Sequence, residues 1–228
     1  MDETIGTLAN VNVFQHADVL VTSLTKFFSG ACNVTGDSAV FNPTGRYYSS
    51  LKAIAEREYK DTYWPEDVIL MERNSRDFTI RIRQMNINAE AAAKVLLASP
   101  LIKRVYYPKY NSDKSNYEAR RTPVGRYGGL MSVVFYRKQD AITFYDDMDG
   151  AKGPRLGTNF TLTSPYVFLA HMKELEWASS LGVDPYLMWF SVGMEDTDRL
   201  LEIFRKALHS AAGPRKGCNI VNATSHSE

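Results

Sequence analysis

No stretch of this 228-residue chain stays apolar for the roughly 18 residues that a membrane span needs, so a spanning helix is not expected. Cysteine is scarce. Cys32 and Cys218 are the only two, and they lie too far apart in the chain to build a disulfide framework. That scarcity points to a reducing, intracellular compartment, with the cytoplasm as the expectation. Charge of one sign is also lacking: 27 Lys and Arg against 26 Asp and Glu give a net charge of +1. No strong field is there to recruit nucleic acid or an anionic membrane, and neither is expected as a partner. The four histidines, His16, His171, His209 and His226, show no metal-ligand spacing, so no metal is expected. Met1 to Gly6 has neither a basic region nor an apolar core, which argues against a secretory signal. Asn33, Asn159 and Asn222 each begin a glycosylation-type triplet, a pattern that an intracellular chain does not use. No internal repeat is present.

What is present is a globular composition, 44% hydrophobic and 23% charged, and one suggestive stretch. Asp18 to Thr22 is a short β-branched run that reads as a buried parallel strand. It delivers Ser23, Thr25 and Lys26 to its carboxyl end, where open α/β sheets place their ligands. Two hydroxyls and an amine on near-adjacent residues suit a phosphate held beside a reactive nitrogen. Taken alone, the Ser-x-Thr-Lys tetrapeptide is more often an ordinary surface turn.

From about residue 100 onward strands and helices alternate. Ser38 to Pro43 reads as a second strand and Ser49 to Lys60 as a helix. A longer helix follows, with Asn74-Ser75 able to cap it and Asp77 in its first turn. Phe78, Ile82, Met85, Ala89, Ala92 and Leu96 form its apolar stripe, and Ser99-Pro100 ends it. Arg73, Arg76, Arg81 and Arg83 near its start read as a solvated face. Leu101–Tyr107, Leu130–Tyr136 and Leu187–Val192 read as strands. Gln139–Met148, Pro165–Leu181 and Asp196–Ala211 read as helices, with Phe168, Met172, Leu175 and Ala178 inward on the second. Pro108 to Gly129 reads as a surface excursion with a short helix at 115–121. Gly153 to Gly157 reads as a tight turn, and the tail from Gly213 as polar and disordered. The pattern predicts an α/β or α+β architecture with a boundary near residue 75.

A set of ordered blocks makes the chain recognisable. They are Asp2-Glu-Thr-Ile-Gly-Thr-Leu-Ala-Asn10, Ala17 to Gly30 around Lys26, Ser38-Ala-Val-Phe-Asn-Pro43, Glu72-Arg-Asn-Ser-Arg-Asp-Phe78 and Asn88-Ala-Glu-Ala91. They continue with Tyr127-Gly-Gly-Leu-Met-Ser132, Ala151 to Leu162, Leu175-Glu-Trp-Ala178 and Phe190-Ser-Val-Gly-Met-Glu-Asp196. Through them the chain resembles the C-terminal half of the Cys/Met-metabolism family of pyridoxal-phosphate (PLP) enzymes, in its fungal cystathionine γ-synthase-like branch. The resemblance implies a fold type I α/β architecture. It would comprise the remainder of a large cofactor domain (1–75), a smaller C-terminal α/β domain (76–212) and a tail (213–228). It implies pyridoxal 5'-phosphate as cofactor, with Lys26 matching the lysine that bonds it. That chemistry needs an amine able to attack as a nucleophile and then to move protons. Asp2 matches the aspartate that pairs with the pyridine nitrogen and keeps the ring an electron sink. Ser23 and Thr25 match the hydroxyls that hold the cofactor phosphate.

Three departures stand beside these matches. The chain starts almost on Asp2, which in the family ends a strand of the large domain. The cofactor-stacking ring, the Gly-Met phosphate site and the Tyr-x-Arg that reaches a neighbouring subunit are not in it. Trp189 stands where the family has an arginine that clamps the substrate carboxylate, a bidentate role an indole cannot fill. Arg155 stands where the family has a serine, and could take over carboxylate binding or be an ordinary exposed arginine. The implied activity is γ-replacement on an O-acylated homoserine by a thiol such as cysteine, or a secondary-metabolism variant of it. The alternative is a non-catalytic fragment of that family acting only as an interaction partner. Small amino-acid substrates and a homo-oligomer are implied as partners, and the isolated chain is expected to hold cofactor poorly.

Overall fold

A computed structural model describes residues 1–213. The tail beyond Gly213, with Cys218, the triplet at Asn222 and His226, lies outside the described residues. Among the described residues no helix is long and apolar enough to cross a membrane.

The first seventy-odd residues build a small β-ribbon with two helices. Strand β1 (Val19–Ser23) pairs with β2 (Asp37–Phe41) antiparallel, in the register Val19–Phe41 to Ser23–Asp37. The strand expected to be buried and parallel is therefore neither in its main pairing. Only Leu20 is fully buried, and Val21 is 42% exposed. Its parallel neighbour is the segment at Met1–Glu3: Asp2 bridges Val21, with Glu3 N donating to Val21 O at 3.0 Å. Helix α1 (Tyr48–Glu58) matches the expected helix, while α2 (Pro65–Ser75) fills a stretch whose periodicity is too weak to announce it. Pro65 opens α2 at its first turn, where a missing N–H costs nothing.

Helix α3 (Phe78–Leu97) carries the expected stripe. Ile82, Met85, Ala89, Ala92 and Leu96 are all buried. Its cap differs from expectation. Asp77 is the N-cap residue without a side-chain capping bond, and the Asn74 amide instead donates to Ser29 Oγ and Asn33 Oδ1, both at 2.9 Å. After α3 come β3 (Ile102–Tyr106), α4 (Lys114–Glu118), β4 (Leu130–Phe135), α5 (Lys138–Asp147), β5 (Ala151–Lys152) and β6 (Leu162–Ser164). Then follow α6 (Tyr166–Ala170), α7 (Leu175–Ser180), β7 (Met188–Ser191) and α8 (Thr197–Ala212). The five strands form one sheet in the order β3-β4-β7-β6-β5, antiparallel except for the β5–β6 pair.

The helix expected over Pro165–Leu181 is broken into α6, a single 3₁₀ turn and α7. Of its expected inward residues Ala178 alone is fully buried, while Met172 is 62% exposed. The apolar residues recur at helical spacing, but no core faces most of them. The Pro108–Gly129 excursion is likewise more than surface. It docks on the N-terminal loop, where Thr122 N donates to Asn10 O at 2.8 Å and Asn12 N to Arg120 O at 2.7 Å.

Side chains alternate across a strand, and here the alternation divides the sheet's two faces. Met131, Val133, Met188 and Phe190 face α3, α5 and α8, where Phe144, Phe190 and Phe204 pack with centroids 5.2–6.3 Å apart. Ser132, Ser164, Trp189 and Ser191 leave the other face, the one turned to the β1 region.

One polar triad ties α3 to the segment after β3. Glu90 accepts from Lys109 and, at 3.1 Å, from Arg126. Burial opposes ionisation of Glu90, but the two hydrogen bonds and the charges behind them outweigh it and hold the carboxyl below its ordinary range. A carboxyl depressed in the folded state stabilises the fold above its unfolded pKa, and that contribution disappears as pH falls through the folded value. Glu90→Gln should therefore lower the urea midpoint at pH 7, and the gap to the parent should close below about pH 4. A gap unchanged between pH 7 and pH 3 would show that the charge is not what matters there.

Candidate active site at the Lys26 turn

The chain leaves β1 through a turn of π-helix, Leu24–Phe28, which Lys26 breaks with φ −85° and ψ −126°. Gly30 N closes it on Lys26 O at 2.7 Å, and Ser29 N on Leu24 O at 3.0 Å. A backbone bent this far from helical geometry persists only where its surroundings over-determine it. Three sets of contacts do so here.

The first is Arg81, expected on a solvated face and found 3% exposed. Its guanidinium donates to Phe27 O (3.1 Å), Phe28 O (2.5 Å) and Asn74 O (2.8 Å), and to Asn159 Oδ1 (3.2 Å). Asp77, one helical turn back, takes the Nε proton at 2.7 Å. The planar fork with five N–H groups is what lets one side chain hold two successive carbonyls and a carboxylate together.

The second is the Gly153–Gly157 turn. Gly157 has φ +77°, and a Cβ there would lie 2.5 Å from Phe27 N and 2.8 Å from Lys26 Cβ. Only the missing side chain lets the two backbones touch. Gly157 N is held in turn by Ser191 Oγ at 2.8 Å. Gly157→Ala should destabilise the fold by about 1–3 kcal/mol and weaken any ligand bound through Lys26. Urea denaturation alongside a cofactor titration checks both, and an alanine variant equal to the parent in each would show that the contact positions nothing.

The third is the loop after β7. Asn159 N donates to Gly30 O at 2.8 Å, and Met194 N to Asn159 O at 2.9 Å. Glu195 accepts from Thr161 N (2.5 Å) and Thr161 Oγ1 (2.9 Å), while Asn88 Nδ2 donates to Gly193 O and Glu195 O. The Ser191-Val-Gly-Met-Glu195 block thus buttresses the Gly157–Thr161 segment, whose Asn159 reaches the turn at Gly30. Arg81, Asn159, Gly157 and Ser191 all escape a reading that looks for reactive groups. Their only signal is a glycine in a tight turn and a serine in a short strand.

The residues expected to carry chemistry lie around this turn. Asp2 is exposed beside β1, and hydrogen bonds from the Thr4 side chain and backbone, the latter at 2.9 Å, hold its carboxyl below the usual range. Glu3, on the opposite face, is 5% exposed and hydrogen-bonded to Thr22, and burial raises its carboxyl instead. The Ser23 amide is held by Thr4 Oγ1 at 2.9 Å. Thr25 Oγ1 accepts from Gly36 N at 3.0 Å and makes only a long 3.4 Å contact to Gly36 O, so its proton is weakly engaged. Lys26 is half-buried. Arg155 is exposed at the outer side of the Gly157 turn. Trp189 stacks on Tyr166 at 4.3 Å between ring centroids, with its Nε1 unbonded among the described residues.

The donor set suits pyridoxal phosphate as far as these residues go. A primary amine stands at the end of a strand, with two hydroxyls whose protons are free or nearly so among the described residues. A carboxylate kept ionised lies on the adjoining segment.

Solved structures share this fold. A cystathionine γ-synthase from Xanthomonas oryzae pv. oryzae, in complex with cystathionine, superposes with a TM-score of 0.80 at 22% identity, over 92% of this chain and 55% of that one. A cystathionine γ-lyase from Micromonospora echinospora gives 0.79, also at 22% identity, over 91% and 55%. The fold is therefore the fold type I α/β architecture of those enzymes. Residues 1–209 match the family described as Cys/Met metabolism PLP-dependent enzyme, and the chain belongs to that family. It is 60% identical to a cystathionine γ-synthase of Neurospora crassa over 92% of its own length and 34% of that protein's. It is 40% identical to the Saccharomyces cerevisiae cystathionine γ-synthase over 93% and 35%. A cystathionine γ-synthase-like enzyme of Amanita muscaria is 43% identical over 92% and 38%. The chain spans about a third of the length of these relatives.

Proposed function

We propose that this chain carries the lysine-bearing part of a trans-sulfuration enzyme of the cystathionine γ-synthase type, exchanging the γ-substituent of an O-acylated homoserine for a thiol. The observation that carries the reading is the seating of Lys26. Arg81, Gly157 and Asn159 hold its turn from three sides, while Asp2 lies on the segment paired to the strand that delivers it. The names of the relatives support the same reaction class.

In this reading bound pyridoxal phosphate supplies the electron sink that makes the substrate Cα and Cβ protons removable. Lys26 would hold the cofactor and would be the amine that takes and returns those protons. Asp2 would be the carboxylate facing the pyridine nitrogen. Ser23 and Thr25 donate to the phosphate, and Arg155 offers the cation for the substrate α-carboxylate. Residues 1–75 belong to a cofactor domain and 76–212 to a smaller domain. The substrates are small amino acids, the assembly is a homo-oligomer and the setting is cytoplasmic.

A second reading, docking without catalysis, draws on the exposure of Val21, Val40, Trp64 and Ile69. These four are large apolar residues on the ribbon and on or beside α2, and they offer a surface to another polypeptide. One measurement separates the two. Because the isolated chain is expected to hold the cofactor poorly, pyridoxal phosphate added in large excess to the purified protein should give a weak visible absorption band that Lys26→Ala removes. Absence of the band, or a band indifferent to that substitution, leaves only the docking reading.

A further inference from the structure

The C-terminal sheet carries a cavity that the Lys26 site does not use. It has a volume of about 310 Å³ and opens between α5, the start of α6 and the turn that leads into β7. Lys138, Ile142, Tyr145, Phe168, Tyr186 and Met188 line it. Met188 and Ser191 leave β7 on opposite faces, so the cavity and the Gly157 contact lie on opposite sides of one sheet.

The walls follow from the sequence. Positions 138, 141, 142 and 145 fall on one helical face of α5, and that face is turned to the cavity. Across from it, Phe168 stacks on Tyr186 with ring centroids 6.5 Å apart and planes at 25°. The turn that carries Tyr186 is fixed by Asp184, whose Oδ1 accepts from Tyr186 N at 2.9 Å. The result is a preformed hollow with flat aromatic surfaces and a thioether among them, the usual make-up of a small-molecule site.

Two ammonium groups stand at its aromatic rim. Lys138 Nζ lies 5.0 Å from the Tyr186 ring centroid, and Lys152 Nζ 4.9 Å from that of Tyr145. Neither forms an ion pair among the described residues: Asp140, two residues on from Lys138, is taken by Arg137, and Lys152 donates only to the neutral Asp146 carbonyl at 3.0 Å. Burial, with the Asp146 charge behind it, raises the Tyr145 hydroxyl, which therefore stays a neutral donor.

We infer that this cavity is a binding site for an aromatic carboxylate, its ring lying on Tyr145, Phe168 and Tyr186 and its charge held at the rim in the field of Lys138 and Lys152. The flat walls take a ring with offset or edge-on contacts. A cationic ligand would meet two like charges, and a neutral one would leave both ammonium groups without a counter-charge. A dianion would lose more hydration against the apolar walls than a carboxylate does. The site is independent of the reading of Lys26.

The test is a calorimetric titration of the purified protein with naphthalene-2-carboxylate and with the neutral naphthalene-2-carboxamide, which has the same shape. At low salt the carboxylate should bind about three- to fivefold more tightly than the amide, and high salt should erase the difference. Lys138→Met should bring the carboxylate toward the amide and leave the amide unchanged. Phe168→Ala should weaken both about three- to tenfold. Lys138 and Phe168 are both exposed, so each variant should melt with the parent. No saturable binding of the carboxylate, a Lys138→Met variant that weakens both ligands equally or neither, or a Phe168→Ala variant that binds both as the parent does would overturn the site.

Discussion

Lys26→Ala should leave a folded protein that forms no covalent link to pyridoxal phosphate, lacks the visible band and turns over substrate at least about 10²–10⁴-fold more slowly. On the proposed reading two separate losses contribute: the amine that would bond the cofactor is gone, and so is the base that would move protons at the substrate. The fold should survive because the turn is held by backbone and by its neighbours, not by the lysine amine. Arg81 grips the carbonyls of Phe27 and Phe28, and Gly157 rests against the Lys26 backbone. The circular dichroism melt of the variant should therefore lie close to that of the parent. Lys26→Arg sharpens the test, since it keeps the positive charge and most of the length but cannot lose its proton to act as a nucleophile. It should be as inactive as the alanine variant. Residual turnover within tenfold of the parent in either variant would show that Lys26 is not the reacting amine. The outcome would then return the turn to an ordinary structural role.

What the chain reveals before folding, and what it hides, follows from the range of the forces involved. The stripe on α3 and the strands β3, β4 and β7 are local patterns of burial, and a linear reading finds them. Short strands such as Ala151–Lys152 have no periodicity to find, and α2 mixes polar and apolar residues on most sides. Asp196 opens the helix read over Asp196–Ala211, and in the structure its carboxylate caps that helix by accepting from Arg199 N at 3.0 Å. Asn74 is not, because its amide is claimed by Ser29 and Asn33, some forty residues away in the chain. The same limit governs the site. Lys26, Ser23, Thr25 and Asp2 can be nominated from the sequence because they fall in recognisable blocks. Arg81 is not, because its task is to accept burial in exchange for five hydrogen bonds, and nothing in Arg-Asp-Phe-Thr-Ile-Arg says which arginine turns inward.

Arg81→Met is the substitution expected to do most damage to the fold. Methionine fills much of the same volume with no polar atom, so the loss isolates the hydrogen bonds from the packing. Three backbone carbonyls, of Phe27, Phe28 and Asn74, would lose their partner in a buried setting, and each such orphan costs about 1–3 kcal/mol. The ion pair itself adds little, because Asp77 is 59% exposed and its charge is screened by water. Some carbonyls will find water as the turn relaxes, so the expected loss is about 3–5 kcal/mol rather than the full sum. That is a large part of what holds a domain folded. Arg81→Lys should recover only a fraction, since an ammonium cannot span Phe27 O and Asn74 O together with the Asp77 carboxylate. Arg83→Met, on the exposed side of the same helix, should change stability by no more than about 0.5 kcal/mol. Urea midpoints of the three variants decide the matter. Cofactor affinity measured well below those midpoints then separates a global effect from a local one. If the guanidinium seats Lys26, Arg81→Lys should bind pyridoxal phosphate more weakly than the parent even where both are fully folded. If Arg81→Met unfolds no earlier than Arg83→Met, the buried fork is not what holds the turn, and the seating of Lys26 must come from Gly157 and Asn159 alone.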